Sequence, residues 1–154
     1  MAPVNTEDFL LDLARRRRYR GLTPTLAVGE ASERVAIDDS DLVLQLAMLS
    51  SPEEAGDRTL QGLLAALPVD DVDAVIRQLE IGVTLREIVD GAVRPLEGGA
   101  RLQQLFYEDE SDQLLLGFWA AMADSDDPDV RPELEAELLD MATSALERCD
   151  GRGQ

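Results

Sequence analysis

Apolar residues recur at intervals of three and four along most of the chain, the spacing that places them on one face of a helix. Asn5 or Thr6 can cap a first helix whose early turns carry Glu7 and Asp8, where carboxylates meet the positive pole of the helix dipole. Leu10, Leu13 and Ala14 then share a face, Gly21 suits the position just past the helix end, and Pro24 forbids continuation. The next stretch breaks this pattern. TLAV and ERVAI, on either side of GEAS, are β-prone runs that fit a small hairpin over residues 25–37, with an irregular loop as the alternative.

From Asp38 onward the spacing is helical throughout. DDSDLVLQLAML opens on carboxylates and spaces Leu42, Leu46 and Leu49 along one side, while Ser51, Pro52 and Glu54 carry the pattern of a capping box with proline at the first helical position. DDVDAVIRQLEIG gathers Val72, Val75, Ile76 and Leu79 on a face and is expected to stop at Gly82. Thr84 and Glu87 repeat the capping logic for a separate helix that ends before Pro95. The segments 100–107 and 111–123 hold most of the aromatic residues, and a last helix is expected from Asp127-Pro128 or Pro132 to about Arg148, with a frayed tail from about Cys149. The expected architecture is all-α: a compact irregular bundle of seven or eight short helices forming one domain over residues 1–154, with Pro95 to Gly99 the best place for a hinge. No fixed repeat period supports a solenoid.

Composition agrees with helices. The apolar fraction is 45%, too high for a disordered chain, and aromatic residues make up only 4%, so Leu, Ala and Val carry the packing. At 154 residues the chain can bury a core without disulfides, and its single Cys149 forms no intrachain bridge. All 14 basic residues are Arg, which fits a GC-rich coding habit, and the net charge is −18. Such acidity also suits high-salt surroundings. MAPVNTEDFLLDL lacks the basic lead of a signal peptide, and the longest uncharged run, QLLLGFWAAMA, is too short to span a membrane. The expectation is a protein of the cytoplasm or of a soluble assembly such as a virion.

Charge and chemistry then narrow the function. Histidine is absent, which removes the usual general base, the commonest zinc ligand and every Ser-His or Cys-His arrangement. No nucleotide-binding or nucleophile-elbow motif occurs, so no enzyme, cofactor or metal is expected. The adjacent acids Asp38-Asp39, Asp70-Asp71 and Asp126-Asp127 stand where helices begin and read as caps. In DSDDPDVRPELE, Asp124, Asp126 and Glu135 match positions one, three and twelve of a calcium loop. Asp129 in place of the required glycine and Pro128 at the fifth position count against it.

What remains is recognition. Residues 108–154 hold fourteen acids against three arginines, an array that can cover a basic partner or imitate DNA phosphates. In LLLGFWAAM, Phe118 and Trp119 are candidate anchors for a partner, against the simpler reading of a core helix. Arg15, Arg16, Arg17, Arg18 and Arg20, with Tyr19 among them, form a basic cluster near the start of the chain. Successive helical residues point about 100° apart, so these arginines ring the helix end rather than line a stripe. They are expected to meet carboxylates of the same chain or of a neighbour. Direct nucleic-acid binding is not expected, because residues 21–154 carry a net charge of −20.

The sequence therefore predicts a non-catalytic protein–protein interaction module: an adaptor, assembly component or chaperone-like partner. It presents an acidic helical surface and an arginine patch to another protein with a basic surface, or to a second copy. The alternatives are an acidic inhibitor of the immunity or DNA-mimic type, and a structural component of a virion or similar assembly.

Overall fold

The computed structural model describes residues 5–35 and 40–152, and among the described residues every regular element is helical. The chain divides into two compact units, Met1–Leu79 and Glu80–Gln154, with the helix α5 (Val72–Asp90) running from one into the other.

In the first unit, α1 (Thr6–Tyr19) is capped by Asn5, whose side-chain oxygen accepts from the Asp8 amide at 2.7 Å. It buries Phe9, Leu10, Leu11, Leu13 and Ala14, and it ends at Gly21, which adopts a φ of +70°. That left-handed turn lets the amides of both Arg20 and Leu22 return to the Arg16 carbonyl, at 2.9 and 3.2 Å. The expected hairpin at 25–37 is instead a helix, α2 (Pro24–Arg34), residues 36–37 lying outside the described residues. Thr23 caps it by accepting from the Leu26 amide, Pro24 takes the first turn, and Ala27, Val28 and Ala31 fall on one buried face. The β-prone composition of TLAV loses to that cap and to burial. Helix α3 (Asp41–Ala47) is capped by Ser40 and buries Val43 and Leu46, with Leu42 and Leu49 only half covered.

Helix α4 (Pro52–Ala65) begins at the expected proline, but the capping box is not made: the Ser51 side chain bonds no helix amide. Ser51 has a ψ of 72°, short of the extended backbone that aims a capping hydroxyl at the third helical amide. Its carbonyl accepts from the Glu54 and Ala55 amides instead. Leu60, Leu63 and Leu64 of α4 close the core with Ile76 of α5.

In the second unit, two helices expected around Gly82 are one, since α5 continues to Asp90 and Thr84 is wholly buried within it. A mid-helix glycine costs up to about 1 kcal/mol, whereas each fully buried Ile or Leu contributes about 1.5–3 kcal/mol. Ile81, Leu85 and Ile88 are all buried across the proposed break, so the helix carries through. It stops at Gly91, where φ is +78° and the Ala92 amide bonds back to the Glu87 carbonyl at 2.9 Å. The expected hinge from Pro95 to Gly99 is the opening turn of α6 (Pro95–Phe106). Gly98 and Gly99 are buried there because neighbours occupy the space of their missing side chains: Ile88 at Gly98, and Met122 and Leu138 at Gly99.

Asp112 caps α7 (Gln113–Ala121), accepting from the Leu115 amide at 3.1 Å, and a tight turn at Met122–Asp124 follows. The final helix, α8 (Arg131–Arg152), passes Cys149, where a frayed tail was expected. Its Leu134, Leu138, Ala142 and Ala145 are buried. The expected seven or eight helices thus become eight among the described residues, through two offsetting differences: the hairpin is a helix, and two helices are one. No helix among the described residues is long and apolar enough to cross a membrane.

Candidate functional site

The arginine cluster occupies the last turns of α1, in the first unit. Arg15 is buried and reaches Asp12 at 2.9 Å. Arg16 also touches Asp12, through Nε at 2.9 Å, and clasps Glu30 of α2 with both terminal nitrogens at 2.7 Å each. Arg17 holds Asp57 of α4 through two bonds, at 2.8 and 3.0 Å, and donates to the Leu22 carbonyl at 3.3 Å. Arg18 approaches Asp73 at 3.3 Å and lies 5.7 Å from the centre of the Tyr19 ring. Arg20 supplies the helix-capping amide.

The 100° step between neighbours explains the pattern. A ring of four arginines sends its charges to carboxylates on α1, α2, α4 and the start of α5 in turn. Hydrogen bonding from Arg17 holds the Asp57 carboxyl below the ordinary value, and bonding to Glu30 pushes the Arg16 guanidinium up against the opposing effect of burial. Beside this ring lies a groove of about 700 Å³ where Arg17, Arg18, Asp57, Asp70, Asp71 and Asp73 mix charges of both signs. Asp71 also caps the start of α5, accepting from the Ala74 amide at 3.1 Å, while Asp38 and Asp39 lie outside the described residues.

Phe118 and Trp119, adjacent in sequence, part company in the second unit. Phe118 is fully buried, whereas Trp119 is 39% exposed. Trp119 stacks on Phe106 with centroids 5.4 Å apart and donates to the Tyr107 hydroxyl at 3.4 Å. The acidic loop whose spacing partly matches a calcium loop is held by its own turn contacts. Asp124 sits in the tight turn, Asp127 accepts from the Asp129 amide at 2.9 Å, and Arg131 donates to the Ser125 carbonyl at 3.1 Å. No group of three or more potential ligands among the described residues is placed to hold a metal.

The second unit also has a feature that the sequence did not single out. Between α7 and α8 runs an open groove of about 660 Å³. Leu114, Gly117 and Phe118 supply one wall, Ala136 and Met141 the other, and Glu133, Glu137 and Asp140 stand along its α8 edge. These three acids are exposed and make no ion pair among the described residues. Their spacing of four and three residues could have shown that they share a helix face. Which face turned outward depended on Leu134, Leu138 and Ala142 being taken by the core.

Comparison with known proteins gives no match: no family model, no curated protein and no solved structure matches this chain.

Proposed function

We propose that the protein is a non-catalytic interaction module that binds a basic partner protein through the acidic helical surface of its second unit. The observation that carries this reading is the exposed row Glu133, Glu137 and Asp140, unpaired among the described residues and set beside an apolar groove. The two units support it by contrast. Residues 1–79 hold fourteen acids and eight arginines, and Arg15 to Arg18 are already matched internally. Residues 80–154 hold eighteen acids and six arginines, a net charge of −12. An excess of this kind steers basic partners and raises their rate of encounter.

In this reading the protein works in the cytoplasm or within a soluble assembly, and Trp119, 39% exposed beside the still more open Tyr107, offers a further aromatic contact outside the α7–α8 groove. Head-to-tail self-assembly through Arg15–Arg20 has less support, because it competes with the internal pairs. The inhibitor reading shares the same surface and differs only in the partner. The test is a quantitative pull-down with wild type and the variant Glu133→Gln/Glu137→Gln/Asp140→Asn. Basic proteins retained by wild type, released by salt and lost by the variant support the reading. An identical retained set for both proteins overturns it.

A further inference from the structure

We propose that the α7–α8 groove receives one amphipathic helix from the partner, with its apolar face toward α7 and basic residues toward α8. The proposal rests on the interaction-module reading and adds the seat and the shape of the ligand. The two sides of the groove differ in chemistry. The α7 side offers Leu114 and the backbone at Gly117, backed by the buried Phe118, while the α8 side contributes Ala136 and Met141 together with the carboxylates of Glu133, Glu137 and Asp140. An extended basic peptide would leave the apolar wall unused, and a purely hydrophobic helix would leave three carboxylates facing nothing. A helix that is apolar on one side and basic on the flank satisfies both.

Dimensions agree. From Glu133 to Arg148, the last α8 residue lining the groove, a helix rises about 22 Å, which matches a ligand of about four turns. Basic residues spaced four and three apart on the ligand would stand opposite the acidic row, which repeats that spacing. At Gly117 a side chain added to the groove wall would meet only the Met141 methyl, at 3.6 Å. The charges also set direction. Carboxylates at the Glu133 end attract the positive pole of the incoming helix, and Arg148 at the other end attracts its negative pole. The ligand helix therefore runs parallel to α8.

The test uses the full chain with methionines labelled at the ε-methyl carbon, and two synthetic sixteen-residue peptides of identical composition. One presents leucines at helical spacing with arginines on the flank; in the other, the order is scrambled so that charge is kept and the apolar face is lost. The proposal expects the first peptide to shift the Met141 methyl signal while leaving Met48 of the first unit unmoved. It also expects the scrambled peptide to bind at least tenfold more weakly. Ala136→Arg, at an exposed position on the groove wall, should weaken the first peptide by tenfold or more with helicity unchanged. Equal, salt-sensitive binding of both peptides, unaffected by Ala136→Arg, overturns the groove and leaves the acidic-surface reading standing. Absence of binding by both at about 1 mM overturns the groove as well, and the triple-variant pull-down then decides the broader reading by itself.

Discussion

At the scale of single residues, the arginines of α1 show how a run of identical side chains takes on different tasks. Their stabilising effects are unequal. The Arg16–Glu30 contact is bidentate, its two side chains are only 27% and 35% exposed, and such geometry is favourable. The Arg18–Asp73 pair is a single bond at 3.3 Å between well-exposed groups, for which about 0–0.5 kcal/mol is typical. A double-mutant cycle of Arg16→Gln with Glu30→Gln, read by urea denaturation, should therefore give a coupling of about 1–2 kcal/mol. The corresponding cycle for Arg18 and Asp73 should give less than about 0.5 kcal/mol. Equal couplings would refute the ranking.

Asp57 allows a check on protonation. Its carboxyl is held below the ordinary value chiefly by the hydrogen bonds from Arg17, so the folded state favours the ionised form. The resulting stabilisation is fully present above the ordinary carboxylate range near pH 4, and it fades as pH falls through the lowered folded value. Carboxyl-carbon NMR should find Asp57 titrating below the ordinary aspartate value. Arg17→Gln should return it toward that value, and titration unchanged by that substitution would remove Arg17 as the cause.

At the scale of elements, two helical glycines, one in the middle of α5 and one buried in the opening turn of α6, are expected to respond in opposite ways to alanine. A side chain at Gly82 meets only the tip of Arg86, at 3.8 Å, so Gly82→Ala gains helix propensity without crowding. It should stabilise by about 0.5–1 kcal/mol. At Gly98 the added carbon would collide with Cγ1 and Cδ1 of Ile88, and overpacking of this kind costs about 1–3 kcal/mol. Thermal unfolding of both variants checks the contrast, and a Gly82→Ala protein less stable than wild type would deny that α5 is continuous there.

The same glycines mark what the sequence could and could not disclose. Helix ends set by local chemistry were legible: Asn5 before α1, Gly21 after it, and Pro52 opening α4. Gly82 and the Thr84–Glu87 pair look like an end and a start, and only the burial of Ile81, Leu85 and Ile88 overrides them. Residues 24–34 look β-prone until Ala27, Val28 and Ala31 acquire a core to face. The arginine ring was legible as geometry, since the step per residue fixes it. Its partners on α2, α4 and α5 lie 14, 40 and 55 residues away and depend on packing that no local pattern encodes.

At the scale of the whole molecule, a net charge of −18 sets two effects of salt against each other. Screening weakens the arginine–carboxylate pairs, and it also relieves repulsion among 32 acids. The pairs are in contact at 2.7–3.3 Å, inside the Debye lengths of about 8–30 Å that apply between 0.15 and 0.01 M, so salt in this range reaches them little. Like charges about 15 Å apart repel by about 0.3 kcal/mol in water, and lengthening the Debye length to about 30 Å at 0.01 M leaves most of that in force. At 0.15 M, where the length is about 8 Å, most of it is gone. Relief of repulsion should therefore win, and the melting temperature should rise with sodium chloride between about 0.01 and 0.15 M. The variant Glu133→Gln/Glu137→Gln/Asp140→Asn removes three mutually close acids from α8, so it should melt higher than wild type at low salt and converge with it at high salt. It should also lose the basic partner. Stability gained and binding lost in one protein would mean that this acidic row is retained against the interest of the fold, as a binding surface requires. A variant that melts lower at low salt would show instead that the row supports α8.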